Sequence, residues 1–160
     1  MSKSIVVAEN PVSHYLFSST SSGWIWLIIR LYVGWVWLKA GWHKVGDAAW
    51  TGEQAGAAVT GFVQGALAKA AEGHDVPGWY AWFLENIVLP NASVFSWLVA
   101  WGEVLVGLGL ILGCLTGIAA FFGSLMNVTF LLAGTISSNP ILFILATWLV
   151  LAWKVAGWDG

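Results

Sequence analysis

Four apolar runs, each close to the roughly 20 residues a helix needs to cross a hydrocarbon core, take up most of this chain. They extend from about Trp24 to Trp42, Ser93 to Leu112, Leu115 to Ala133 and Ile141 to Ala156. With 59% hydrophobic and 9% charged residues, the composition lies far from the soluble norm of about a quarter charged. The expectation is an all-α membrane protein, one domain over residues 1–160, built as a four-transmembrane-helix up-down-up-down bundle. The very short link between the second and third runs makes those two antiparallel neighbours. Ser137, Ser138, Asn139 and Pro140 read as a cap and first-turn proline opening the fourth run, and the serines up to Ser22 as caps for the first. Residues 1–23, with Pro11, read as a loose tail. No long apolar region and cleavage site follow Lys3, so the first span is expected to stay in the mature protein.

The connection over residues 44–90 has mixed polarity. Ala55, Val59, Phe62, Val63, Ala66 and Ala70 recur at helical spacing, with Glu53, Gln54, Gln64 and Lys69 on other faces. That pattern predicts an amphipathic helix too polar to span. After Gly73 and Pro77, the segment WYAWFLENIVL predicts a second short interfacial helix, since Trp and Tyr concentrate at headgroup level. Both pieces are expected to lie at one mouth of the bundle, either as a cap or as passive anchors.

Several chemistries are excluded by what the chain lacks. Its net charge is -2, with no basic face for nucleic acid. The one cysteine, Cys114, cannot form an internal disulfide, and no zinc, dithiol or covalent-haem spacing occurs. His43 and His74 are isolated and make no haem constellation. No metal, haem or flavin signature is legible.

The stretches RLYVGWVWLKAGWHKV, GFVQGALAKA, VPGWYAWFLENIVLPN, WGEVLVGLGLILGCLTGIAA and NVTFLLAG, in that order between about Arg30 and Asn139, resemble the DoxX family of small four-helix membrane proteins. The family is similar to the membrane subunit of thiosulfate:quinone oxidoreductases. The resemblance implies a multi-pass protein of a prokaryotic cytoplasmic membrane, with electron delivery from a small anionic sulfur compound or thiol to quinone. A partner subunit or a homo-oligomer fits the same picture.

Polar groups inside apolar spans are costly and mark partners or sites. At about 1.5 Å per residue, Arg30 lies roughly 9 Å into the first span and Glu103 roughly 15 Å from the same face in the second, level with Asn127 in the third. The expectation is an intramembrane Arg30–Glu103 pair with Asn127 as hydrogen-bonding neighbour and Lys39 as competing partner. Such a cluster either fixes helix register or lines the quinone end, with Glu103 supplying a proton. Glycines at 34, 41, 102, 107, 109 and 113 allow close helix approach in lipid.

Lys39, His43 and Lys44 close the first span. They read either as snorkelling anchors or as the positive mouth that gathers a sulfur anion. Of the 13 tryptophans, Trp24, Trp26, Trp42, Trp79, Trp82, Trp153 and Trp158 suit an interfacial belt. Trp35, Trp37, Trp101 and Trp148 lie deeper, and Trp37 and Trp101 are candidates for stacking on a quinone ring or for core filling. The alternatives to a quinone-linked enzyme are a non-catalytic subunit of a respiratory or photosynthetic complex and a small transporter, against which no broken spans or repeats are visible.

Overall fold

The computed structural model describes residues 8–113 and 115–157, so Lys3, Cys114 and Trp158 lie outside the described residues. The described chain is all-helical, with no strand. In chain order the helices are α1 (Pro11–Ser18), α2 (Gly23–Val45), α3 (Ala57–Ala71), α4 (Gly78–Phe83), α5 (Ala92–Leu112), α6 (Thr116–Leu132), α7 (Asn139–Leu151) and α8 (Trp153–Ala156). The four apolar runs correspond to α2, α5, α6 and α7 with α8. Among the described residues one helical stretch, Gly78–Leu112, is long and apolar enough to cross a membrane; α6 and α7 are apolar but shorter.

Residues 8–23 are not the loose tail expected from Pro11. Proline at the first position of α1 is pre-set for a helix, and the Asn10 side chain accepts from the Val12 amide as its cap. The helix docks: Trp26 Nε1 donates to Leu16 O at 2.7 Å, and the Phe17 and Trp26 rings lie 5.6 Å apart. Trp26 is therefore buried, not a member of the aromatic belt, whereas Trp24, Trp42, Trp79, Trp82 and Trp153 are exposed. Ser22 precedes α2 without capping it, because its hydroxyl donates back to Leu16 O and Ser19 O.

The most extensive helix contact is between α2 and α5, and glycine makes it. A Cβ on Gly107 would sit 2.5 Å from Leu38 N, and one on Gly41 would sit 2.6 Å from Val104 N. Gly34 meets Ile111 in the same antiparallel register. Such bare backbones approach closely enough for dispersion to hold the pair. The bundle core includes Val33, Trp37, Val106, Leu110, Ala120 and Leu149.

The amphipathic connection forms as read. Val59, Val63 and Ala66 of α3 are buried, while Gln64 and Lys69 face outward. The second short helix differs from expectation, because it does not end before Pro90. Helical backbone runs on from α4 through a π-turn at Leu84–Val88 and a 3-10 turn at Leu89–Asn91 into α5. Asn91, at φ -116° and ψ 29°, breaks the helical torsions. A straight rod would hold Phe83 and Phe95 about 18 Å apart. Their ring centroids are 6.4 Å apart, so the rod bends sharply here. It thereby lays α4 over α3 and forms a second core from residues including Val63, Tyr80, Leu84 and Ala133. Two hydrogen bonds fasten this cap to the end of α6: Tyr80 Oη donates to Thr129 O at 2.8 Å and Lys69 Nζ to Gly134 O at 2.8 Å.

Candidate functional site

Glu103 is buried on α5, and its partner is Lys44. The Lys44 ammonium donates to Glu103 Oε2 at 2.6 Å, with side-chain exposures of 22% and 2%. The same ammonium stands 5.1 Å from the centroid of the Trp50 ring. Trp50 belongs to the turn after α2, which is itself pinned down. Ser96 of α5 donates to Trp50 O, Thr51 Oγ1 donates to Val45 O, and Gly56 at φ 99° leaves no room for a Cβ, which would lie 2.8 Å from Ser93 N. A buried carboxylate, its ammonium and an aromatic lid are thus held by backbone anchors. The arrangement lowers the cost of taking two charges out of water by giving each a close partner.

The expected Arg30–Glu103 pair does not form. The register that sets Gly41 beside Val104 and Gly34 beside Ile111 carries Arg30 past Leu112, the last residue of α5. The depth estimate fails because α2 overhangs α5 at that end, where α1 and α8 cover it. There Arg30, 2% exposed, donates from Nη1 to Ala156 O at 2.9 Å. Lys39, the competing partner, is exposed on the outer face of α2.

Asn127 does reach the expected depth, since Met126 beside it packs near Gly102, the neighbour of Glu103. It is fully buried, and neither amide atom has a hydrogen-bond partner among the described residues. The same holds for Trp37 Nε1 and Ser124 Oγ. Trp37 packs against Gly123, where a Cβ would lie 3.3 Å from its indole nitrogen.

The basic cluster divides. At about 100° per residue His43 follows Lys39 on one face, while Lys44 turns roughly 100° away from His43. Lys39 and His43 are exposed and Lys44 points inward, so what reads as one mouth is two features.

Beside the ion pair lies a feature the sequence did not disclose. An apolar groove of 760 Å³ runs between α5 and α6 and is roofed by α3 and α4. Phe95, Gly102 and Gly109 line one wall, Ile118, Met126 and Phe130 the other, and no charged side chain lines it. Trp50 and Tyr80 line it toward the cap, and the Trp50 ring is the one 5.1 Å from the Lys44 ammonium. Neither Trp37 nor Trp101 lines the groove; Trp37 is in the core and Trp101 is exposed. The sequence signal for the groove is the glycines at 102 and 109, which line it and do not close the α5–α6 seam as Gly34, Gly41 and Gly107 close the α2–α5 seam. Among the described residues, no group of three or more His, Cys, Asp or Glu side chains is placed to hold a metal ion.

Comparison with known proteins gives one finding. The family model described as DoxX matches residues 25–136, a span holding the ion pair, the cap and the groove. No curated protein and no solved structure matches the chain.

Proposed function

The chain belongs to the DoxX family of membrane proteins, and from that premise we propose that it is a multi-pass subunit for quinone-linked oxidation of a small anionic sulfur compound or thiol, such as thiosulfate. In this reading α2, α5, α6 and α7 with α8 are four spans of a prokaryotic cytoplasmic membrane, and α3 and α4 lie at one face. The observation that carries it is the Lys44–Glu103 pair lying alongside an apolar groove, Glu103 next to the groove residue Gly102 and the Lys44 ammonium 5.1 Å from the groove residue Trp50. A hydrophobic carrier with a polar reactive head needs both in one place. With thiosulfate as donor, two anions lose one electron each and couple through a new S–S bond to tetrathionate. Quinone accepts the two electrons and takes up two protons to become quinol. Glu103 and Lys44 supply proton relay at the head, and Asn127, at the same depth, offers amide contacts. Exposed Lys39 and His43 draw the anion toward this end of α2 by long-range attraction.

The test is thiosulfate- or thiol-dependent quinone reduction by the protein purified with its native partners and reconstituted. Turnover that disappears in Glu103→Gln while the protein stays folded supports the proposal. A wild type that reduces no quinone with those partners overturns it. A second reading, a non-catalytic subunit of a respiratory or photosynthetic assembly, rests on the broad outer face of α5, where Val94, Trp97, Leu98, Trp101 and Leu105 are all exposed. Stoichiometric partners without activity in any assembly would favour it.

A further inference from the structure

Deepening the quinone-linked reading, and resting on it, we propose that the groove between α5 and α6 seats a polyprenyl tail longer than one membrane leaflet, with the neutral head of the same molecule against Trp50. Length is the first argument. The groove follows α5 from Phe95 to Gly109 and α6 from Phe130 to Leu115, about 21 Å along each helix. A leaflet is half of a hydrocarbon core of about 30 Å. A phospholipid chain hanging from its headgroup at the cap would therefore leave the far part of the groove bare, whereas a polyprenyl chain continues past the midplane.

Access is the second argument. The cap roofs the groove, whereas Leu98, Leu105, Ile118 and Phe122 both line it and are exposed on the outer surface, so a ligand enters sideways between α5 and α6, past walls that carry no charge. A phosphate headgroup would have to shed its water to pass such walls, and a quinone head would not. The floor supplies the third argument. A Cβ on Gly102 would approach only Met126, at 3.7 Å, so this glycine holds space open and does not weld two helices. At the head end, the Trp50 indole lines the groove, lies 5.1 Å from the Lys44 ammonium and can meet a flat ring.

The experiment compares equilibrium binding of a full-length polyprenyl quinone with that of its decyl-tailed analogue to the whole chain in nanodiscs. Wild type, Gly102→Leu and Ile118→Trp are used, each first shown monodisperse and with a wild-type melting profile. Ile118 is exposed at the end of the groove far from Trp50, so its substitution tests tail length without burdening the core. The expected result is about a tenfold loss of full-length binding in Ile118→Trp with decyl binding nearly unchanged, and loss of both in Gly102→Leu. Equal effects on the two tails in Ile118→Trp, no effect in either variant, or displacement of the full-length quinone by phospholipid at matched concentration would overturn the proposal. Failure of the groove and failure of the redox reading are distinguishable. The expected binding pattern in a protein that reduces no quinone leaves the groove standing, while turnover of the decyl analogue without any tail-length dependence of binding removes it.

Discussion

Lys44 Nζ lies 2.6 Å from Glu103 Oε2, joining the last turn of α2 to the middle of α5. Because the carboxylate is nearly inaccessible, removing Lys44 leaves a charge with no water to receive it, whereas removing Glu103 leaves an ammonium that is 22% exposed. Glu103→Ala is expected to destabilise the bundle by about 1–3 kcal/mol, and Glu103→Gln by less, since the amide still accepts from Lys44. Thermal unfolding in detergent measures both; equal stability of the two variants and wild type would mean the pair is not buried in the membrane-embedded protein.

Lys44 and Lys39 should part company. Lys44→Gln is expected to lower the melting temperature, whereas Lys39→Gln and His43→Gln should fold normally and raise the apparent KM for the sulfur donor, with a weakened salt dependence. Kinetics at several ionic strengths separate the cases. Unchanged donor kinetics in both outer variants would leave the cluster as an anchor alone.

Asn127 provides a test of opposite sign. Its amide is buried without partners, so Asn127→Leu should be neutral or stabilising, by about 1–3 kcal/mol, if the group serves no binding role in the core. Loss of quinone turnover in a variant at least as stable as wild type would assign the amide to the site.

Gly107 faces the backbone and Cβ of Leu38 on α2, atoms that cannot swing aside. Gly107→Ala forces the helices apart and is expected to cost about 1–3 kcal/mol, while Gly102→Ala should be near neutral. A melt of the two variants reads the contrast directly.

Spin labels test the cap. Labels at Val59 and Phe62 should report an apolar environment, while Gln54 and Lys69 remain accessible to a water-soluble quencher. Uniform accessibility at all four would remove α3 from the bundle.

Much of this architecture is legible in the sequence, for identifiable reasons. Long apolar runs locate α2, α5, α6 and α7 to within a few residues, and the period of Val59, Val63 and Ala66 locates α3, because both signals are local. Burial of Glu103 and Asn127 also follows locally, from polar groups in apolar runs. Which cation reaches Glu103 does not: a register shift of α2 along α5, set by glycine contacts between distant segments, exchanges Arg30 for Lys44. The bend at Asn91 is likewise hidden, because Pro90 signals a break without saying whether the chain stops or turns. The groove is hidden for a third reason, since an apolar residue facing empty space reads the same as one facing a neighbour.

The two hydrogen bonds from Tyr80 and Lys69 to Thr129 O and Gly134 O end on α6 and the turn that follows it, while α4 of the same cap runs through the bend at Asn91 into α5. The cap therefore works as the hinge of a pair of callipers, with α5 and α6 as its jaws. Substituting Tyr80 or Lys69 removes one of the ties that hold the jaws in register, so residues of the cap bear on how wide an object fits between the two helices.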